Sequence, residues 1–291
     1  MPNADYPKSK PPVRADLHIH TTASDSRWTP EQVVAGCKAE GIELLAIADH
    51  DTVDAVVRTE ALALEAGLSF LRAVEISVLA SDELFHILGY GIDPASPLLC
   101  EVLAENRAAM ETFNKRDIAD LIALGYDLDY DEYLAYDYDR TRGGFKSLNY
   151  CLDRGICTGP RDFFTRIRDQ LGRRLPNFVH IREAIATIHA AGGIPVLAHP
   201  GVSLKNGGGV TDANLAPLLT EGIAGLEAYS QYHDDATTGI CANWCHARDL
   251  VVTGGSDYHG GFVGRQLGMP VIDTSRLCLG PLEAQIRSPL A

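Results

Sequence analysis

Along this chain, short apolar runs of strand character repeatedly close on histidine, aspartate or glutamate. The first is Arg14-Ala15-Asp16-Leu17-His18-Ile19-His20, in which polar and apolar residues alternate. Side chains two apart on a strand point to one face, so His18 and His20 share a side at the strand's carboxyl end. Asp25 follows in a polar loop, Ala48-Asp49-His50-Asp51-Thr52 closes the second run, Glu75 closes the third, and His86 lies within the fourth. Much later, Ala198-His199-Pro200 and Gly255-Ser256-Asp257-Tyr258-His259 repeat the pattern. A lone His-x-His pair would carry little weight. Ligand-type side chains delivered by separate strands converge only if those strands form a barrel or a strongly curved sheet, and this limits the fold more than any other feature.

Between the runs lie amphipathic helical stretches, the alternation of βα units around a parallel sheet or barrel. Strands are predicted over residues 13–20, 43–48, 69–74, 84–90, 193–198, 225–229 and 250–253. The first helix is well signalled: Thr29 caps it, Pro30 suits its first position, Gln32 completes a capping box and Gly41 ends it. Further helices are predicted over 53–66 and 182–191. The rhythm breaks from residue 94 to 179, where a long helix over 98–124 precedes an acidic, tyrosine-rich run and a basic turn from Arg140 to Lys146. Regularly spaced Leu, Ile and Phe there need burial, which fits a mainly helical insertion better than a linker. Residues 1–93 and 180–291 are therefore expected to form the metal-binding unit, and 94–179 an inserted helical subdomain.

Composition narrows the function. The formal charge of −14 disfavours a duplex nucleic acid partner but not a small phosphorylated substrate, because divalent cations reverse the field locally. No apolar stretch approaches the ~20 residues of a membrane helix, and Met1 to Pro12 is polar. A soluble, cytoplasmic protein with no membrane partner and no obligatory protein partner is expected. The 7 cysteines are odd in number and scattered, so free thiols in a reducing compartment are expected.

Taken in order, Asp16-Leu17-His18-Ile19-His20-Thr21, Ser24-Asp25, Ala48-Asp49-His50-Asp51-Thr52, Val74-Glu75, Ala198-His199-Pro200 and Gly255-Ser256-Asp257-Tyr258-His259 resemble the PHP family, phosphoesterase domains named for polymerase and histidinol phosphatase. The resemblance spans nearly all the chain outside the insertion. It implies an α/β fold, a distorted (β/α)7 barrel, holding two or three divalent metal ions. By the same resemblance, His18, His20, Glu75 and Asp257 hold one metal, Glu75 bridges to a second bound by His86 and His199, and Asp25, His50 and His259 surround a third. Asp25 stands where some relatives carry His. Asp16 and Asp49 are expected to orient the ligand imidazoles. Mixed imidazole and carboxylate ligands suit manganese first, with zinc or iron as alternatives.

Such a site lowers the pKa of bound water to ~7 and clamps phosphoryl oxygens between paired ions, so no protein nucleophile is needed. Glu75 is then catalytic as the bridging carboxylate, and His233 is a candidate proton donor to the leaving group. His233 follows Glu227-Ala228-Tyr229-Ser230, a strand end expected to face the cluster, which makes Tyr229 and Ser230 candidate substrate contacts. Arg142, Lys146 and Arg265 are candidate phosphate contacts, since arginine grips phosphate through two donors. The expected substrate is a small nucleotide, such as a 3′,5′-bisphosphate nucleotide, or a short oligonucleotide. Alternatives are a histidinol phosphate phosphatase, an amidohydrolase acting on C–N bonds, or a metal-binding module without catalysis.

Overall fold

The computed structural model describes residues 12–172 and 174–289. Most of the polar N-terminal stretch therefore lies outside the described residues. The strands form two open sheets, not a closed ring. In the first, β1 (Arg14–Ile19), β2 (Leu44–Ile47) and β3 (Ser69–Phe70) run parallel, and β9 (Ile272–Asp273) adds antiparallel to the free edge of β1. The second sheet runs in the order β4 (Ala73–Ala80), β5 (Glu83–Tyr90), β6 (Ile194–Leu197), β7 (Gly225–Ser230) and β8 (Val251–Gly255). β5 is antiparallel to both β4 and β6, while β6, β7 and β8 are parallel.

The expected (β/α)7 barrel is thus corrected to an α/β arrangement of two partly mixed sheets. Three local features explain why closure fails. β4 turns straight into β5 through left-handed Ser81 and Asp82, so a hairpin replaces a βα unit. β9 occupies the edge of β1 at Arg14 and Ala15, where another strand would have to pair. At the two seams between the sheets, single bridges, Ile19 with Tyr258 and His50 with Glu75, stand in place of ladders. Both of those bridges involve or adjoin the ligand-type residues, so the seam is where the chemistry collects.

The local signals explain the elements. Helix α1 (Pro30–Ala39) starts with the reciprocal capping box of Thr29 and Gln32. β1 is buried from Ala15 to Ile19, with Leu17 and Ile19 supplying separate apolar clusters while Asp16 and His18 take the opposite face. The long helix α3 (Pro97–Ala123), which follows α2 (Val56–Glu65), serves two cores. Its Leu99, Val102 and Leu103 pack with the β4–β5 sheet, and its Ile118 and Leu121 pack with Leu148, Tyr150, Phe163 and Ile167 from the later helical segments. All cysteines are free, and most are buried, including Cys241 and Cys245.

Asn106 joins α3 to the sheet. Fully buried, it donates from Nδ2 to Asp51 Oδ1 (2.8 Å) and to the Ser77 carbonyl (2.7 Å), and its Oδ1 accepts from Val179 N (3.0 Å). Removing the amide leaves buried partners unsatisfied at about 1–3 kcal/mol each. Asp51 Oδ1 keeps its bond from Ser77 N, so Asn106→Ala, which removes the partner of the Ser77 carbonyl and of Val179 N, should lower unfolding stability by about 2–6 kcal/mol in urea denaturation. A loss under ~1 kcal/mol would show that this junction does not hold α3 to the sheet.

Candidate metal centre

The seam gathers side chains from most of the strands. His18 and His20 project from the end of β1 with their Nε2 atoms 3.1 Å apart. Glu75 on β4 stands at the middle: its Oε2 lies 3.2 Å from His18 Nε2, 3.4 Å from His20 Nε2 and 3.1 Å from His50 Nδ1. Its Oε1 lies 3.2 Å from both His86 Nδ1 and His199 Nε2. Asp257 Oδ1 reaches His20 Nε2 at 2.9 Å, and Asp25 Oδ1 lies 3.2 Å from His259 Nε2. The ligand atoms fall into three groups, each within 4.8 Å: His18, His20, Glu75 and Asp257; His50, Glu75 and His86; and His20, Asp25, His50 and His259. His50 thus stands in two groups, while His199 touches Glu75 from outside the second.

These residues fit metal ions. His20 Nδ1, Glu75 Oε2, His86 Nδ1 and Asp257 Oδ1 are buried without a hydrogen-bond partner. Buried polar atoms are normally satisfied, and an orphaned set of lone pairs facing one space points to a cation. Without metal, protons must neutralise the cluster. Burial would raise Glu75, but the imidazolium charges of His18, His50 and His86 hold it well below the usual carboxylate range. Burial likewise opposes charge on His18 and His259, yet Glu75, Glu227 and Asp257 raise His18 well above an ordinary imidazole, and Asp25 and Asp257 raise His259 to about 9. His20, desolvated and beside His259 and His50, drops to about 3.

Glu227 was missed by the sequence reading. Fully buried on β7, it accepts from His18 Nδ1 at 2.8 Å and from the His199 backbone N–H at 2.8 Å. It fixes one imidazole and the turn carrying another. Its alternation with Leu226 and Ala228 was the available signal. Tyr232 was also missed: its hydroxyl donates to Asp257 Oδ2 at 3.0 Å, and its ring lies beside His199 and under the Arg265 guanidinium.

The structure gives several of the expected site residues other partners. Asp16 accepts backbone N–H groups of His18, Ser256 and Gly268, and Asp49 accepts from Thr21 and Ser24; both hold loops, not imidazoles. His233 Nδ1 donates to the Ala228 carbonyl and its Nε2 accepts from Gly201 N, so neither ring nitrogen is free for a leaving group. Between Glu227 and Tyr229 the β7–β8 register shifts, and the Tyr229 ring packs in the apolar core under Arg276, away from the cluster. Ser230 Oγ is buried without a hydrogen-bond partner. Arg142 is paired with Asp153 through two bonds of 2.9 and 2.6 Å, and Lys146 donates to the Leu134 carbonyl at 2.9 Å, so both are engaged within the helical segment. Arg265 does reach the cluster, donating from Nη1 to Asp257 Oδ2 at 3.0 Å and to the Asp257 carbonyl at 3.0 Å. His180 caps the helix Ile181–Ala190, accepting from Arg182 N.

The PHP domain family profile matches residues 16–146. Among curated proteins, the chain is 28% identical over 269 residues to a phosphoribosyl 1,2-cyclic phosphate 1,2-diphosphodiesterase of Eggerthella lenta, covering 85% of this chain and 94% of that protein. It is 32% identical over 253 residues to a 5′-3′ exoribonuclease of Haemophilus influenzae, covering 84% and 89%. It is 30% identical over 260 residues to a 3′,5′-nucleoside bisphosphate phosphatase of Chromobacterium violaceum, covering 87% and 90%. A solved structure from Bifidobacterium adolescentis, assigned as a metal-dependent phosphoesterase, superposes with a TM-score of 0.79 at 28% identity, covering 92% of this chain and 95% of that one.

The electrostatics give a pH test. A group raised on folding stabilises below its unfolded pKa and loses that contribution as pH rises through its folded pKa. For His259, raised from 6.5 to about 9, the window is pH 6.5 to 9. Metal-free protein should therefore lose about 3 kcal/mol of unfolding stability across that window from His259 alone, with His18 and His86, also raised, acting in the same direction. Urea denaturation of chelator-treated protein at both ends measures it. Equal stability at pH 6.5 and 9 would mean that no imidazolium cluster forms.

Proposed function

The chain belongs to the PHP-domain family of metal-dependent phosphoesterases, and from that premise we propose that it hydrolyses a phosphate ester of a small nucleotide, such as a 3′,5′-bisphosphate nucleotide, or of a short oligonucleotide. That it is a hydrolase acting on a phosphorylated small molecule follows from the family and the cluster. The nucleotide is our reading, supported by the activities of the Haemophilus and Chromobacterium relatives. The observation that carries the proposal is Glu75, a fully buried carboxylate with five imidazoles within 3.4 Å of its oxygens.

In this reading His18, His20, Asp25, His50, Glu75, His86, His199, Asp257 and His259 hold two or three divalent ions, manganese first and zinc or iron next. When bound, such ions supply Lewis acidity and an activated water at neutral pH. Glu227 keeps His18 in one tautomer, with Nδ1–H toward the carboxylate and Nε2 toward the seam. Tyr232 and Arg265 engage Asp257 Oδ2 and leave Oδ1 facing His20. Arg265 keeps other guanidinium donors for a phosphoryl oxygen, and Tyr232 offers an aromatic face at the rim. We read residues 94–179 as the inserted helical subdomain that walls one side of this site.

A phosphate-release screen tests the substrate. A 3′,5′-bisphosphate nucleotide or a short oligonucleotide should be cleaved with kcat/KM at least tenfold above histidinol phosphate, and a reversed order would replace the nucleotide reading. Glu75→Gln should lower kcat by more than tenfold on every substrate with the fold kept, because a neutral amide does not bridge two cations. Retention of more than a tenth of wild-type kcat would remove Glu75 from the bridging role.

A further inference from the structure

The three ligand groups are not held by the same parts of the molecule. His18, His20, Glu75 and Asp257 are buried, and the contacts that fix them come from the sheets and their loops: Glu227 on β7, Tyr232 after it and Arg265. In the group of His20, Asp25, His50 and His259, Asp25 and His50 each keep 26% of their side-chain exposure, and this is the side against which the helical segment sits.

Two separate contacts from that segment grip this group's backbone. Arg107 on α3, next to Asn106, donates from Nη1 to the carbonyl of Asp51 at 2.6 Å. Asp51 directly follows His50 and sits at φ 50°, in the left-handed region that aspartate tolerates better than most residues. Its carboxylate is held by Asn106 and by Ser77 N. On the other side, Gly144 N donates to the carbonyl of Asp25 at 2.7 Å, and Arg27 Nε donates to the Arg142 carbonyl at 3.1 Å. Gly144 is at φ 72°, and a Cβ there would fall 2.8 Å from the Phe262 ring and 2.9 Å from Leu148. The contact with Asp25 therefore depends on glycine.

We infer that the helical segment assembles the outer metal group: Arg107 and Gly144 are positioning residues that set His50 and Asp25, so one metal ion is held only when the segment is seated. This rests on reading the cluster as a metal centre. It goes further in assigning one ion to a contact between two parts of the chain, and linkage then requires that filling the ion also tightens the segment.

The test titrates metal-free full-length protein with Mn²⁺ by calorimetry, with elemental analysis for stoichiometry. Asp25→Asn identifies the equivalent that belongs to the outer group. Arg107→Met should weaken that same equivalent by roughly tenfold or more, the usual effect of losing a group that orients a ligand, and leave the equivalent of the buried group, which lacks His50, at wild-type affinity. Gly144→Ala should do the same from the opposite contact, and it decides the matter if Arg107→Met does not fold. Wild-type titration by both variants, or parallel weakening of every equivalent, overturns the inference while leaving the metal centre intact. A wild-type protein that takes up no Mn²⁺ removes both.

Discussion

The Glu75 carboxylate is the constraint on which the rest of this structure depends. An ionised carboxylate with no solvent exposure costs many kcal/mol unless charge of the opposite sign surrounds it. Here that charge comes from imidazoles on β1 and β5 and from the turns after β2 and β6. One side chain therefore requires two sheets to meet, and the seam between them is kept open for it. A complete ladder between β2 and β4 would leave less room at the place where His50 pairs with Glu75 through a single bridge. Protons or divalent cations can neutralise the cluster, and since both need the same lone pairs, they compete.

Strain is concentrated around that cluster. Asp51, His199 and Asp257 all have positive φ, at 50°, 31° and 51°. Each lies just past a strand or its last bridge, where a sharp turn directs a side chain into the seam or ties the turn down. Such conformations persist only where surrounding contacts over-determine them. Glu227 takes the His199 N–H, Tyr232 and Arg265 take Asp257, and α3 takes Asp51. The residues that hold these turns are as much a part of the site as the ligands they carry.

Much of this was legible in the sequence, for identifiable reasons. The period of two in β1 placed His18 and His20 on one face, and the Thr29–Gln32 capping box marked the start of α1. That the sheets stay open, where a closed barrel was expected, was not legible. Strand periodicity does not report the direction of the neighbouring strand, so the reversal at Ser81–Asp82 and the two-residue β9 left no mark. The direction of the side chains at the end of the 225–229 run was not legible, because a register shift between Glu227 and Tyr229 breaks the alternation used to orient them. Arg142 and Lys146 were placed by charge alone, and charge does not reveal that Asp153 and a backbone carbonyl already claim them. Glu227 followed the same alternation as the ligands, but a single glutamate in an apolar strand carries no distinguishing motif.

The formal charge of −14 is at first sight a poor match for a phosphorylated substrate. At physiological ionic strength, however, exposed charges are largely screened beyond about 8 Å, so the global surplus acts mainly on large polyanions that touch much of the surface. A duplex has to lie along that surface, and each uncompensated contact counts against it. A small phosphate ester meets only the seam. There the acidic residues are candidate ligands whose charge bound cations would cancel, and Arg265 adds a fixed guanidinium beside Asp257. The carboxylates of Asp25, Glu75 and Asp257 would therefore lie beneath a locally cationic surface once metal is bound. On the proposed reading, a preference for small phosphate esters over duplexes would come from this difference in scale.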